Sequence, residues 1–126
     1  MRVDLIQIGN YFAYPTQTTH DGKLKIGRVN FIRHDGIVQV DFVDTNAQLL
    51  EPIELTPSIL EKNGFKYNPF SSGFWECKTE DGNISCTKLD YWLFYINDYI
   101  VPNHFNYVHE LQLALKLCNI YKEIVL

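Results

Sequence analysis

The sequence holds few of the residues that mark a secreted or membrane-embedded protein. Among its 126 residues are only three cysteines, an odd number without a CxxC pair. No apolar run approaches the ~18 residues that a membrane-spanning helix needs. The chain begins Met1-Arg2-Val3-Asp4, without the apolar segment of a secretory signal. We therefore expect a cytoplasmic protein with reduced thiols and no membrane partner.

The sequence also lacks an excess of basic residues. It has 11 Lys and Arg against 15 Asp and Glu, a net charge of -4. Proteins that bind nucleic acid carry a basic stripe that displaces counterions from the phosphates. The acidic balance therefore argues against a nucleic-acid partner. A local basic patch could still form from Lys23, Lys25, Arg28 and Arg33, although a solvated strand face is the simpler interpretation.

Motifs of known catalytic sites are absent as well. The sequence contains no GxSxG elbow, no phosphate-binding loop and no GxGxxG. His109-Glu110 begins like a zinc-protease helix, but Leu113 stands where that motif requires a second histidine. The wide spacing of the cysteines does not fit structural zinc. We predict no cofactor, no metal and no catalytic residues, and an enzyme without a recognisable motif is kept only as an alternative.

What is present is the composition of an ordinary globular protein. Hydrophobic residues make up 46%, charged residues 21% and aromatic residues 14% of the chain, far from the disordered range. We predict one domain over residues 1–126, with a β-hairpin subregion at 1–50 and an α-β-β-β-α subregion at 51–126. The predicted class is α+β: mainly antiparallel hairpins, a short middle helix, and a C-terminal helix packed on the second sheet.

The clearest predicted hairpin spans 23–43, with the Asp-Gly pair at 35–36 as a two-residue turn. This register places Phe31 opposite Val40. A three-residue loop would instead place Phe31 opposite Gln39 and mix polar with apolar residues, so we prefer the first register. Its apolar face then holds Val29, Phe31, Val38, Val40 and Phe42.

A second predicted hairpin spans 74–87, with the Asp-Gly pair at 81–82 as its turn. Cys77 and Cys86 then lie directly opposite each other, on one face with Trp75 and Ile84. A disulfide is geometrically possible between them, although two small buried hydrophobic residues are the simpler interpretation.

Helix signals mark two further segments. Thr56 caps a short helix that begins at Pro57 and ends near Gly64. Tyr107 to Cys118 shows the apolar spacing of an amphipathic helix. The apolar residues from Ile120 to Leu126 could form either an edge strand or a docked tail.

Two groups of residues are candidates for binding. Tyr107, His109 and Gln112 could form a small polar site at the start of the last helix, with capping and packing as the alternative. Residues of the predicted strands at 89–96 and 99–101 could form a stacking platform or fill the core: Tyr91, Trp92, Phe94, Tyr95 and Tyr99. For a nucleotide-sized ligand, the expected residues are Arg28, Arg33, Tyr91, Trp92 and His109.

Four ordered segments carry a resemblance to a family. They are IGNY at 8–11, EPI at 51–53 with Leu55-Thr56, LEKNGF at 60–65 and YVHELQ at 107–112. Together they resemble a family of small uncharacterised proteins of gut Bacteroidetes and their phages and mobile elements, which has no assigned activity. In the family, aromatic residues and a Thr-Gly helix end usually follow the last segment. This chain has neither, so it departs from the family pattern there.

The resemblance implies a cytoplasmic protein encoded by a phage or mobile element. Our leading hypothesis is a non-enzymatic accessory factor that binds a host protein. The alternative is a protein that binds or sequesters a small ligand such as a nucleotide signal. The first three strands also resemble a small SH3-like barrel, through Gly27-Arg28-Val29.

Overall fold

The computed structural model describes residues 6–15, 24–33, 35–71, 73–101 and 105–126. Contacts divide the chain into two compact units, Met1–Ile53 and Glu54–Leu126. The division lies close to the predicted boundary between the two subregions. The described residues form one 4-stranded and one 5-stranded antiparallel sheet together with two α-helices, which confirms the α+β class.

The first unit is a four-strand meander. In order along the sheet, its strands are β1 (Tyr11–Tyr14), β2 (Lys25–Ile32), β3 (Ile37–Val40) and β4 (Val43–Asn46). A short 3-10 helix, Ala47–Leu49, follows β4. The chain then returns to β1, where Ala13 and Glu51 exchange two backbone hydrogen bonds of 2.9 Å. The first strand therefore pairs on both of its edges.

One face of this sheet carries the core of the first unit. Burial alternates along β1 and β3, as it does in a strand with one face in water. The core residues of the first unit are Ile6, Phe12, Tyr14, Val29, Val38, Val40, Ala47 and Leu50. The residues of β1 and β3 that point to the opposite face are only partly buried.

The predicted register of the first hairpin is wrong. Val29 pairs with Val40, and Phe31 pairs with Gln39, with a shift in register between these two pairs. Phe31 opposite Gln39 is the pairing of the three-residue loop, the alternative that was not preferred. The step to Val29 opposite Val40 is a β-bulge, in which the extra residue Asn30 on β2 opposes a single step on β3. A bulge breaks strict alternation, so Phe31 turns to solvent while the next residue, Ile32, packs against the core.

A tight turn at Asp41 and Phe42 also departs from prediction, because β3 ends before it and β4 begins after it. Both residues have positive φ, 50° and 66°, as a type I′ hairpin turn requires. Phe42 is consequently exposed, and it does not lie on the apolar face. No sequence signal marks this turn, since neither residue is the glycine that such turns favour.

The second unit holds the other sheet and both α-helices. In order along the sheet, its strands are β5 (Lys66–Asn68), β6 (Phe74–Thr79), β7 (Gly82–Lys88), β8 (Trp92–Ile96) and β9 (Tyr99–Ile100). The helices are α1 (Pro57–Lys62) and α2 (Val108–Leu117), close to the predicted bounds. Thr56 caps α1 as predicted, since its hydroxyl accepts a hydrogen bond from the Ile59 N–H. Neither helix approaches the length and apolarity needed to span a membrane.

The predicted register of the second hairpin is also wrong. Its turn lies one residue earlier, so that Thr79 pairs with Gly82, and Cys77 lies opposite Ile84 rather than Cys86. The Thr79 hydroxyl donates to the Gly82 carbonyl at 2.7 Å and accepts from its N–H at 3.1 Å. These bonds draw Gly82 into the ladder. Cys77 and Cys86 are both buried free thiols.

The C-terminal segment is a docked tail, which is one of the two predicted alternatives. Ile120 and Ile124 are buried, and the segment contains no strand. The Asn63 side chain donates to the Val125 carbonyl and accepts from the Val125 N–H, both at 2.8 Å. The carboxylate of Asp81 accepts a hydrogen bond from the backbone of the same tail.

Candidate functional site

The face of the first sheet that points away from its core is the most structured candidate for binding. Residues paired across antiparallel strands point to the same side of a sheet. The pairs Ala13–Ile26, Tyr11–Arg28, Phe31–Gln39 and Gln39–Asp44 therefore share one side. We call this surface the outer face, and it comprises Tyr11, Ala13, Ile26, Arg28, Phe31, Gln39 and Asp44.

Large apolar side chains on the outer face are open to solvent. Ile26 and Phe31 are each 51% exposed. Between them on β2 lies Arg28, whose guanidinium carbon is 4.9 Å from the centre of the Tyr11 ring. This distance is within the range of a cation–π interaction. The Arg28 Nε also donates a long hydrogen bond of 3.5 Å to the Gly9 carbonyl, so the side chain is held along the face.

An ion-paired arginine lies just beyond the end of β2. Arg33 contacts Asp35 at 2.6 Å and Asp44 of the outer face at 3.4 Å. Exposed pairs of this kind contribute at most ~1 kcal/mol to stability, so they position the arginine more than they stabilise the sheet. A shallow depression of about 330 Å³ is lined by Phe31, Ile32, Arg33 and Asp35. One guanidinium between two carboxylates leaves this end of the face with a net negative charge.

The residues predicted for a nucleotide-sized ligand are divided between the two units. Arg28 and Arg33 belong to the first unit, whereas Tyr91, Trp92 and His109 belong to the second. Of the predicted basic patch, Lys25 pairs with the buried Tyr14. It therefore lies on the core side of the sheet and not on the outer face with Arg28. Lys23 lies outside the described residues.

At the start of α2, the structure places the rings of two predicted polar-site residues, Tyr107 and His109, against each other. The rings of Tyr107 and His109 are stacked at 5.9 Å with an interplanar angle of 11°. Burial lowers the pKa of His109, and the neighbouring Glu110 partly opposes this. The Glu110 carboxylate accepts from the N–H groups of Asn106 and Tyr107 at 3.0 and 3.1 Å. Gln112, the third predicted residue, is half-buried.

Glu110 thus provides the carboxylate of a helix cap, which satisfies orphan N–H groups. The stacked pair therefore accompanies a capped helix start, and capping and packing account for its geometry.

The predicted aromatic platform is divided between core and surface. Trp92 is only 1% exposed, and its indole N–H donates to the Leu55 carbonyl at 3.0 Å. Phe94 is also buried and meets Phe105 edge-on at 5.3 Å. Tyr91 and Tyr95 are half-buried, and Tyr99 is exposed. Trp92 and Phe94 therefore fill the core of the second unit and offer no ring to a partner.

Metal binding and nucleophilic chemistry have little support in the described part of the chain. Within it, no three His, Cys, Asp or Glu side chains come together as metal ligands would. Burial, and then the nearby Cys77, raise the pKa of the Cys86 thiol. A buried thiol of raised pKa is a poor nucleophile.

Sequence reasoning missed three members of the outer face. Tyr11 carried no signal beyond its place in a short strand, and Ile26 lies in a strand whose face was not assigned. Phe31 was placed on the apolar face because the register that pairs it with Gln39 was not preferred, and that is the pairing in the structure. The residue that the sequence did single out is Arg28.

Comparison with protein-family models, with curated proteins and with solved structures finds no match for this chain. The resemblance to the Bacteroidetes family consequently stays a prediction. Function has to be argued from the chemistry of the surfaces themselves.

Proposed function

We propose that this chain is a non-enzymatic protein-binding module whose binding surface is the outer face of the first sheet. The observation that carries the proposal is the pair of half-exposed apolar side chains, Ile26 and Phe31, on either side of Arg28 and its Tyr11 partner. Aromatic residues and arginine are enriched at the centres of protein interfaces and among the residues that dominate their energetics.

The charges around this surface favour a protein over an anionic ligand. Arg33 is paired with both Asp35 and Asp44. A phosphate group would have to compete with two carboxylates for that guanidinium. Paired charges at the edge of an apolar centre are instead the usual anatomy of a protein interface. A nucleotide signal is therefore the weaker alternative.

We also infer that the first unit is a small SH3-like barrel. The four-strand meander, the 3-10 helix after it and the return of Glu51 to Ala13 support this assignment. Fold class does not determine function, so this inference adds context rather than mechanism. The family resemblance further suggests an accessory factor of a phage or mobile element that engages a host protein in the cytoplasm.

The test requires a partner captured by chemical cross-linking in cells that encode the chain. Each captured protein is purified and titrated calorimetrically against the wild type and against Phe31→Ser. We expect affinity to fall at least about tenfold, because a central aromatic side chain carries a large share of binding energy. Tyr99→Ser, which removes an exposed aromatic ring from the second unit, is the control and should bind like the wild type. Equal affinity of Phe31→Ser and wild type would remove the outer face as the binding surface.

A further inference from the structure

The turn between β3 and β4 presents an aromatic side chain that the fold does not use. Phe42 is 82% exposed, so it contributes little to the core. Its φ of 66° lies in the left-handed region, which is unfavourable for a bulky side chain. Glycine is the preferred residue at this position of a type I′ turn, especially after aspartate. Neither packing nor turn preference therefore accounts for phenylalanine.

Hydrogen bonds to β1 and β2 hold the turn at Asp41 and Phe42 in place. The Phe42 N–H donates to the Asn30 side-chain oxygen at 2.8 Å. The Asp41 carboxylate accepts from the Arg28 N–H at 3.1 Å and from the Tyr14 hydroxyl at 3.3 Å. The exposed ring is thus carried on a turn that is held in place before any partner binds.

We propose that Phe42 is a preorganised anchor that inserts into an apolar pocket on a protein partner. An anchor on a fixed turn loses little conformational freedom on binding, which is the general advantage of preorganisation. The adjoining Val43 is 47% exposed and extends the apolar tip. The inference rests on the proposed function, since it adds a second contact for the same kind of partner.

The negative charge of Asp41, next to Phe42 in the turn, indicates what kind of partner Phe42 would contact. The hydrogen-bond donors to the Asp41 carboxylate are a backbone N–H and a hydroxyl, so these bonds leave its negative charge unneutralised. An anionic membrane surface would repel this charge, whereas cytoplasmic lipid surfaces attract basic segments. A pocket with lysine or arginine at its rim complements it. The occupant is therefore a protein pocket with an apolar floor and a basic rim.

The experiment has a stability arm and a binding arm. Phe42→Gly should leave the thermal midpoint unchanged or raise it, because glycine suits this turn better than phenylalanine. In the binding arm, p-benzoylphenylalanine replaces either Phe42 or Phe70 in cells that encode the chain. Phe70 is the matched control, an aromatic side chain that is 97% exposed in the second unit. We expect a protein cross-link from position 42 that position 70 does not give.

Support requires that the cross-linked protein, once purified, binds Phe42→Gly at least about tenfold more weakly than wild type and Phe70→Ala equally well. If Phe31→Ser weakens binding and Phe42→Gly does not, the anchor is refuted and the outer face stands. If neither variant weakens binding, both proposals fail. Phe42-dependent sedimentation with phosphatidylcholine–phosphatidylserine vesicles, or Phe42-dependent dimerisation in light scattering, would each overturn the protein pocket as the occupant.

Discussion

Replacing Gly27 by alanine tests the packing that holds the β3–β4 turn. Gly27 is buried on β2, and a Cβ built there would lie 2.5 Å from the Asp41 Oδ2 and 2.7 Å from the Tyr14 Cε1. Real Cβ atoms do not approach other atoms so closely, so the carboxylate or the ring would have to move. Alanine at this position therefore requires a shift of the Asp41 or Tyr14 side chain.

Two opposite effects on stability are expected for Gly27→Ala, so the sign of the measured change distinguishes them. The φ of Gly27 lies outside the left-handed region, so alanine would ordinarily stabilise by about 0.4–1 kcal/mol through the unfolded chain. Overpacking of a buried site costs about 1–3 kcal/mol. We expect the steric cost to exceed the gain from the unfolded chain. The free energy of unfolding of the first unit should then fall by about 1–2 kcal/mol for Gly27→Ala.

Hydrogen exchange at the Val29 amide is the appropriate assay. Both tryptophans lie in the second unit, so fluorescence does not report on the first. The Val29 N–H donates to the Asn10 carbonyl within the first unit, and a loss of 1–2 kcal/mol corresponds to exchange roughly 5–30 times faster. Unchanged or slower exchange in Gly27→Ala would refute the steric argument.

A double substitution separates the steric cost from other causes. Asp41→Gly removes the obstructing carboxylate at a residue whose φ of 50° suits glycine. In that background Gly27→Ala should cost less, with a coupling energy of at least ~0.5 kcal/mol. Gly36→Ala is the contrasting control, because its φ is +83° and its surroundings are open. Its cost is conformational and should simply add to that of Asp41→Gly.

Two further predictions concern the second unit. The Asn63 side-chain amide makes hydrogen bonds to the backbone of both Val125 and Ile59. Asn63→Ala should therefore lower the free energy of unfolding by about 2 kcal/mol and expose the Val125 amide to rapid hydrogen exchange. A Val125 amide that stays protected in this variant would contradict the prediction. Burial keeps the pKa of His109 below its ordinary value of 6.5, against the opposing effect of Glu110. As the pH falls toward that value, the unfolded chain therefore binds more protons than the folded chain. The free energy of unfolding, followed by tryptophan fluorescence in urea, should therefore decrease from neutral to mildly acidic pH, and less so in His109→Gln.

The sequence was sufficient for the regular parts of the fold. Helix caps at Thr56 and the amphipathic spacing of α2 are local signals, and both were confirmed. The two reversals near Gly36 and Gly82 were also found. The registers of the two hairpins were not predicted correctly. A turn dipeptide indicates where the chain reverses, but it does not determine which residues are paired across the strands. The first hairpin takes the pairing of the alternative that was not preferred, followed by a bulge at Asn30. In the second, the Thr79 hydroxyl bonds Gly82 on the neighbouring strand.

The candidate site was predictable only in part, for a related reason. Arg28 was identified from its charge, but its position over the Tyr11 ring depends on strand pairing. Trp92 could be either part of a stacking platform or core, because alternation alone does not say which face of a strand is covered, and the structure buries it. The exposure of Phe31 follows from the bulge, and that of Phe42 follows from a turn without glycine.

The departures from local rules in the first unit are connected with one another. Asn30, the extra residue of the bulge, is also the residue whose side chain holds the Phe42 N–H. Gly27 leaves the space into which the Asp41 carboxylate folds. Each irregularity thus supports the next, and their joint result is that two phenylalanines face solvent. Natural sequences tend to break local rules where function requires it. Selection for stability alone would favour glycine at Phe42, and the proposed anchor gives the aromatic ring there a task outside the fold.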